Sequence, residues 1–197
     1  MQTRRLVAAA LTCVAATCAN AAAFTDGSFE SLVLGDGQQR QATLVPLDGW
    51  TATGTVFVKN TLDGEQRGAT DGNNLVFMDN GSSMTQVFDT VAGQSYHVRF
   101  DYSKNRGTPV VLIDGQVAES FADPVVPSMA TAPGFDFVAS GASTALTFMA
   151  PAQHANGSIG RLFVDNVAVS PVPEAPGAAM FAVGALLLGG LGRRRRA

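Results

Sequence analysis

Between Phe24 and Ser170 the chain is cut into short pieces by turn dipeptides, among them Asp48-Gly49, Asp63-Gly64, Asp71-Gly72, Asn80-Gly81, Asp114-Gly115 and Asn156-Gly157. An Asn or Asp followed by Gly tolerates the positive φ that tight hairpin turns demand, so each pair reads as a place where a strand reverses. The pieces between them are short apolar or alternating runs, and no window of about 11 residues keeps an apolar stripe at helical spacing. The spacing predicts strands at Ser28–Leu34, Gly54–Lys59, Asn74–Asp79, Met84–Asp89, Ser95–Ser103, Val110–Ile113, Gln116–Phe121, Phe135–Ala139, Thr144–Ala150 and Arg161–Val169. Such a series calls for an all-β fold, an antiparallel β-sandwich of the jelly-roll kind. In the run from Tyr96, the residues Tyr96, Val98, Phe100 and Tyr102 share one face, while His97, Arg99 and Asp101 share the other. Leu75–Met78 and Val110–Ile113 are apolar on both faces, as central strands covered on two sides would be.

The ends read differently from the body. Arg4 and Arg5, an apolar run from Leu6 to Ala16, and Ala21-Ala22-Ala23 make residues 1–23 a signal peptide, with the body at 24–170 exported. A linker at 171–176 precedes an uncharged stretch at 177–192 and a basic tail at 193–197. As a helix, 177–192 would cover roughly 24 Å, a little short of a bilayer core of about 30 Å, and would insert if its flanks snorkel. Arg193, Arg194, Arg195 and Arg196 would stop it on the cytoplasmic side, giving a precursor anchored in the inner membrane.

Charge and chemistry exclude several function classes. The ends hold six of the 13 basic residues, so Phe24 to Ser170 carries 15 acidic against seven basic side chains, a poor surface for nucleic acid. Cys13 and Cys18 lie in the leader, which leaves the body without disulfide or thiolate chemistry. The histidines are His97 and His154, and no nucleophile elbow, zinc-helix motif, phosphate loop or dinucleotide fingerprint occurs, so no enzyme is expected. A glycoside hydrolase is the catalytic alternative, and it would need two carboxyl groups at about 5 to 9 Å across a cleft.

The tail resembles the PEP-CTERM sorting signal through Val172, Pro173 and Glu174, the hydrophobic stretch and the terminal arginines, with Ala175 where the motif has its second Pro. The resemblance implies an exosortase-type membrane protease or transpeptidase as partner, and a cell-surface, extracellular-matrix or biofilm destination. In the body, Asp26-Gly27-Ser28-Phe29-Glu30-Ser31, Gly49-Trp50, Asp71-Gly72-Asn73, Gln86-Val87-Phe88, Val91 to Tyr96 and Leu162 to Val167 follow one another. That order resembles the galactose-binding-like jelly rolls, in particular DUF642-type domains and carbohydrate-binding modules of families 4, 9 and 22.

The fold and address together imply a polysaccharide ligand. His97, Arg99 and Asp101, with Tyr102 following, could hydrogen-bond sugar hydroxyls or form a solvated strand face. Trp50 could stack on a sugar ring or plug the core. Glu30 and Asp165 would meet if the first and last strands pair, as hard oxygen ligands for a structural Ca²⁺ or as loop caps and ion-pair partners. The competing function is a structural or adhesive matrix protein with no glycan ligand.

Overall fold

The computed structural model describes residues 23–61, 67–122, 125–152 and 157–173. The signal peptide, Glu174, the hydrophobic stretch and Arg193 to Arg196 lie outside the described residues. Twelve strands and no helix are found among those described: β1 (Gln39–Gln41), β2 (Trp50–Thr53), β3 (Val56–Asn60), β4 (Asn74–Asp79), β5 (Ser83–Asp89), β6 (Ser95–Lys104), β7 (Val110–Ile113), β8 (Gln116–Ser120), β9 (Val126–Thr131), β10 (Phe135–Val138), β11 (Ser143–Met149) and β12 (Arg161–Pro171). They form a seven-stranded sheet of order β1-β3-β4-β12-β6-β10, with β9 also paired to β6, and a five-stranded sheet of order β2-β5-β11-β7-β8. Every pairing is antiparallel, and the two sheets make the expected sandwich.

Two hairpin turns fall where the dipeptides put them, while Asp63-Gly64 and Asn156 lie outside the described residues. Asn80 and Gly81 have φ of 37° and 72°, and Asp114 and Gly115 have 50° and 79°, the paired left-handed geometry of a type I′ turn. Between the sheets lie Val58, Val76, Met78, Val98, Phe100, Leu162 and Val164 from one side, and Met84, Phe88, Val111, Leu146 and Phe148 from the other. Phe100 and Phe148 meet edge-on at 5.0 Å between ring centres, joining β6 to β11.

Ser28–Leu34 is not a strand. Phe29 has a φ of 60° and its N–H bonds to Asp26 O at 3.2 Å, while the Asp26 carboxylate accepts Ser31 N–H at 3.0 Å. These local side-chain bonds offer the backbone an alternative to a ladder, which a reading of alternation alone does not weigh. The segment closes one end of the sandwich instead, with Phe29 fully buried against Trp50 at 5.6 Å and Gly27 O accepting Val167 N–H at 2.9 Å beside the irregularity in β12. Strands β1, β2 and β9 were not anticipated. β1 is polar throughout, β2 is four residues long, and β9 contains Pro127, which is tolerated because β9 is an outer strand.

At the other end the sheet runs past Ser170. Pro171 pairs with Tyr96, Val172 N–H bonds to Ser95 O at 2.8 Å, and Gln94 Nε2 donates to Val172 O at 2.9 Å. The linker's first two residues are therefore tied to the sandwich.

Candidate functional site

The outer face of the seven-stranded sheet explains why β4 is apolar on both sides. Register places Phe57 opposite Phe77 and Phe77 opposite Phe163, so three rings lie side by side across β3, β4 and β12. Their centres are 5.2 and 5.7 Å apart, and Leu75 completes the patch. Left bare, such a row would be an exposed apolar patch. Two guanidinium groups cover it: Arg161 sits 4.8 Å above Phe77, and Arg67 sits 5.1 Å above Phe163.

Both arginines are held in place. Arg161 is paired in register with Asp79 and engages its carboxylate with Nε and Nη2, an ion pair that raises the guanidinium pKa further. Arg67 donates from Nε to Ser103 Oγ at 2.9 Å. On the far side Gln39 of β1 stands opposite Lys59 of β3. Together Gln39, Lys59, Arg67, Leu75, Phe77, Arg161 and Phe163 line a cavity of about 350 Å³ with an apolar floor and a wall of hydrogen-bond donors.

The segment that carries Arg67 folds back over the sheet and is pinned by two carboxylates. Asp165, fully buried on β12, accepts Thr70 N–H at 2.5 Å, Thr70 Oγ1 at 3.1 Å and Asp71 N–H at 3.0 Å on one oxygen, and Asn166 N–H at 2.7 Å on the other. Burial outweighs these donors and pushes its carboxyl up to about 6. Glu30 Oε1 accepts Asn73 N–H at 2.7 Å and Asn74 N–H at 2.5 Å. Gly72 is required between them, because its φ is +76° and a Cβ there would lie 2.5 Å from Glu30 Oε1.

Glu30 and Asp165 thus meet on one loop, although Glu30 stands on a turn and not on a strand. The donor set facing their bonded oxygens is made of N–H and O–H groups, which suits loop anchoring and not the oxygen shell of Ca²⁺. Among the described residues no group of three or more His, Cys, Asp or Glu side chains comes together to hold a metal.

The polar row on β6 divides. His97 Nδ1 lies 2.6 Å from Asp136 Oδ1 on β10, both side chains well exposed. Asp101 is buried and accepts Asn166 Nδ2 at 3.0 Å; burial pushes its carboxyl up, but bonds from Thr131, Asn166 and Thr70, with the Arg99 charge, outweigh that and lower its pKa. Arg99 and Asp101 share with Phe100, Thr131 and Asn166 a depression of about 60 Å³, small for a sugar. Tyr102 does not join the row: its ring packs on Phe121 at 4.5 Å, on the strand's other face, where burial raises its pKa. Trp50 is likewise no platform, being 6% exposed among Phe24, Phe29 and Phe148, with Nε1 donating to Asp26 O at 3.0 Å.

The cavity residues themselves were not anticipated as a site. The signal available was Leu75-Val76-Phe77-Met78 and Leu162-Phe163-Val164, where the outward-facing positions are apolar without a partner in the sequence pattern.

No family model matches the sequence, and no curated protein matches it. Among solved structures, the chain resembles the enzymatically active domain of tailspike protein 4 of bacteriophage CBA120, at 14% identity and a TM-score of 0.50, over 76% of this chain and 21% of that one. The chain thus spans about a fifth of the tailspike structure. TmCBM61 in complex with β-1,4-galactotriose follows at 15% identity and a TM-score of 0.46, covering 76% and 97% of the two chains. A family 35 carbohydrate-binding module from Paenibacillus barcinonensis matches at 14% identity and a TM-score of 0.39, covering 68% and 98%. At these identities the likeness is one of fold.

Proposed function

We propose that this chain is a non-catalytic glycan-binding module that takes a saccharide in the cavity on the outer face of the seven-stranded sheet. The observation that carries the reading is the pairing of a phenylalanine floor with convergent donors from Gln39, Lys59, Arg67 and Arg161. A sugar ring offers its oxygens to such donors, and a cavity of this size suits one or two residues. Arg161 and Arg67 are fixed before ligand arrives, by Asp79 and Ser103, so little ordering is left for binding to cost.

The sorting-like tail and the signal peptide extend the proposal: the module is exported, handled by an exosortase-type partner, and delivered to the cell surface or to an exopolysaccharide matrix. Two features weigh against the competing functions. The outer strands β1, β2, β8, β9 and β10 are three to six residues long, so no long unpaired edge for adhesion is found among the described residues. No carboxylate is among the described residues that line the cavity, whereas a hydrolase needs two.

The test is titration of the purified full-length chain, in mild detergent, against a panel of neutral and acidic polysaccharides, with Arg67→Ala in parallel. Saturable binding that Arg67→Ala weakens while the fold is retained is the expected result. Silence across the panel by a folded protein overturns the reading and favours the adhesive matrix protein.

A further inference from the structure

The charge of the cavity is out of step with the charge of the body. Residues 24–170 hold 15 acidic and seven basic side chains, yet Lys59, Arg67 and Arg161 line this one cavity and no acidic residue is among the described residues lining it. The wall is also lopsided in hydrogen bonding. Lys and Arg side chains donate and never accept, so the Gln39 carbonyl is the one side-chain acceptor among the described lining residues. A neutral sugar hydroxyl both donates and accepts and would find few acceptors here. An oxyanion accepts only.

From these observations, and resting on the glycan-binding proposal above, we infer that the saccharide this cavity takes is acidic, carrying a uronate carboxylate or a sulfate ester. The two basic groups over the rings divide the work. Arg161 has its charge balanced by the Asp79 carboxylate and serves as a fixed donor. Arg67 bonds through Nε to a neutral hydroxyl, Ser103 Oγ, so its positive charge meets no carboxylate in that contact. Its terminal nitrogens form the planar fork that matches a carboxylate or sulfate in two parallel bonds. Leu75, Phe77 and Phe163 beneath it keep the local dielectric low, which strengthens attraction to a charge on the ligand. Gln39 then stands at the opposite rim, where an adjacent residue of the same polymer would lie.

The experiment uses matched polymers that differ in charge: polygalacturonate against its methyl ester, and dextran sulfate against dextran, with inorganic polyphosphate as an unrelated polyanion. Affinity for each is measured by titration of the full-length chain at low and high salt. The acidic member of at least one pair is expected to bind roughly tenfold or more tightly than its neutral partner, with the difference shrinking in salt. The uronate and sulfate pairs identify which oxyanion is taken. Arg67→Gln is expected to erase the acidic preference.

Because Arg67 also touches Phe163, Gln39→Glu serves as a second variant on an exposed position of β1. It should weaken the acidic polymer roughly tenfold more than it weakens the neutral one, while leaving the melting temperature in place. Equal binding of both members of each pair overturns the acidic ligand and leaves the glycan-binding proposal standing. Equal binding of polyphosphate overturns it as well, by showing unspecific charge attraction. No binding to any polymer overturns both proposals.

Discussion

Asp165 makes the stability of this fold depend on pH in a direction opposite to that of most carboxylates. Its carboxyl titrates at about 6 in the folded chain against 3.8 ordinarily, because burial on β12 penalises the charge. Below the ordinary value both folded and unfolded chains hold the proton. As pH rises, the unfolded chain ionises first, and the folded state pays a growing penalty until its own Asp165 ionises near 6. At about 1.4 kcal/mol per unit, a shift of roughly two units amounts to about 3 kcal/mol lost between low and neutral pH, of which about 1 kcal/mol falls between pH 7 and pH 5. Asp101, whose carboxyl is lowered, acts in the opposite sense, but its contribution is lost only as pH falls below the ordinary range, outside this window. The assay is urea unfolding at half-unit steps from pH 7.5 to 4.5, followed by the fluorescence of Trp50, the sole tryptophan and a buried one. Wild-type stability is expected to rise as pH falls from 7 to 5, and Asp165→Asn to flatten that slope while lowering stability through the lost acceptor. A wild-type profile that is flat or falls over this interval refutes the reasoning, as does an Asn variant that keeps the slope.

Further outcomes follow from the core and the loop. Trp50→Ala should cost about 3 to 5 kcal/mol in unfolding free energy, as other large aromatic truncations do, while leaving glycan affinity unchanged below its melting temperature. Gly72→Ala should lower the melting temperature by at least about 2 to 4 °C, since a Cβ at positive φ would press on the Glu30 carboxylate; differential scanning calorimetry reads this directly. Chelator should leave the melting temperature unchanged, and a rise on adding calcium would place a cation at Glu30 and Asp165 after all.

What the sequence made legible was local. The Asn-Gly and Asp-Gly pairs at 80–81 and 114–115 gave their hairpins, and the apolar runs gave β4 and β7 to the residue, because those features depend on neighbours along the chain. The segment around Phe29 was misread because Asp26 bonds to Ser31, an interaction that alternation does not encode. The cavity was out of reach for a different reason. Phe57, Phe77 and Phe163 become a floor only once β3, β4 and β12 lie side by side, and β12 comes from the far end of the chain. Trp50 drew notice as the lone tryptophan, yet the residues that face the cavity are phenylalanines with ordinary sequence surroundings. Arg67 and Arg161 were visible as charges, and nothing in their spacing placed both above the same rings.

The same strand order ties the loop to the cavity. β12 contributes Phe163 to the floor, Arg161 to the wall and Asp165 to the anchor, all from alternate positions that its period of two turns outward. The anchor holds Thr70 and Asp71, a few residues along the backbone from Arg67, so the donor that lines the cavity is positioned from two sides, by Ser103 on β6 and by Asp165 on β12. A buried carboxylate at that point costs stability at neutral pH, yet it supplies acceptors for donors that an apolar residue of the same size would leave unsatisfied under the loop. The sheet therefore carries an ionisable group in its interior where the loop needs an acceptor, and the cavity's donor wall depends on the loop staying down.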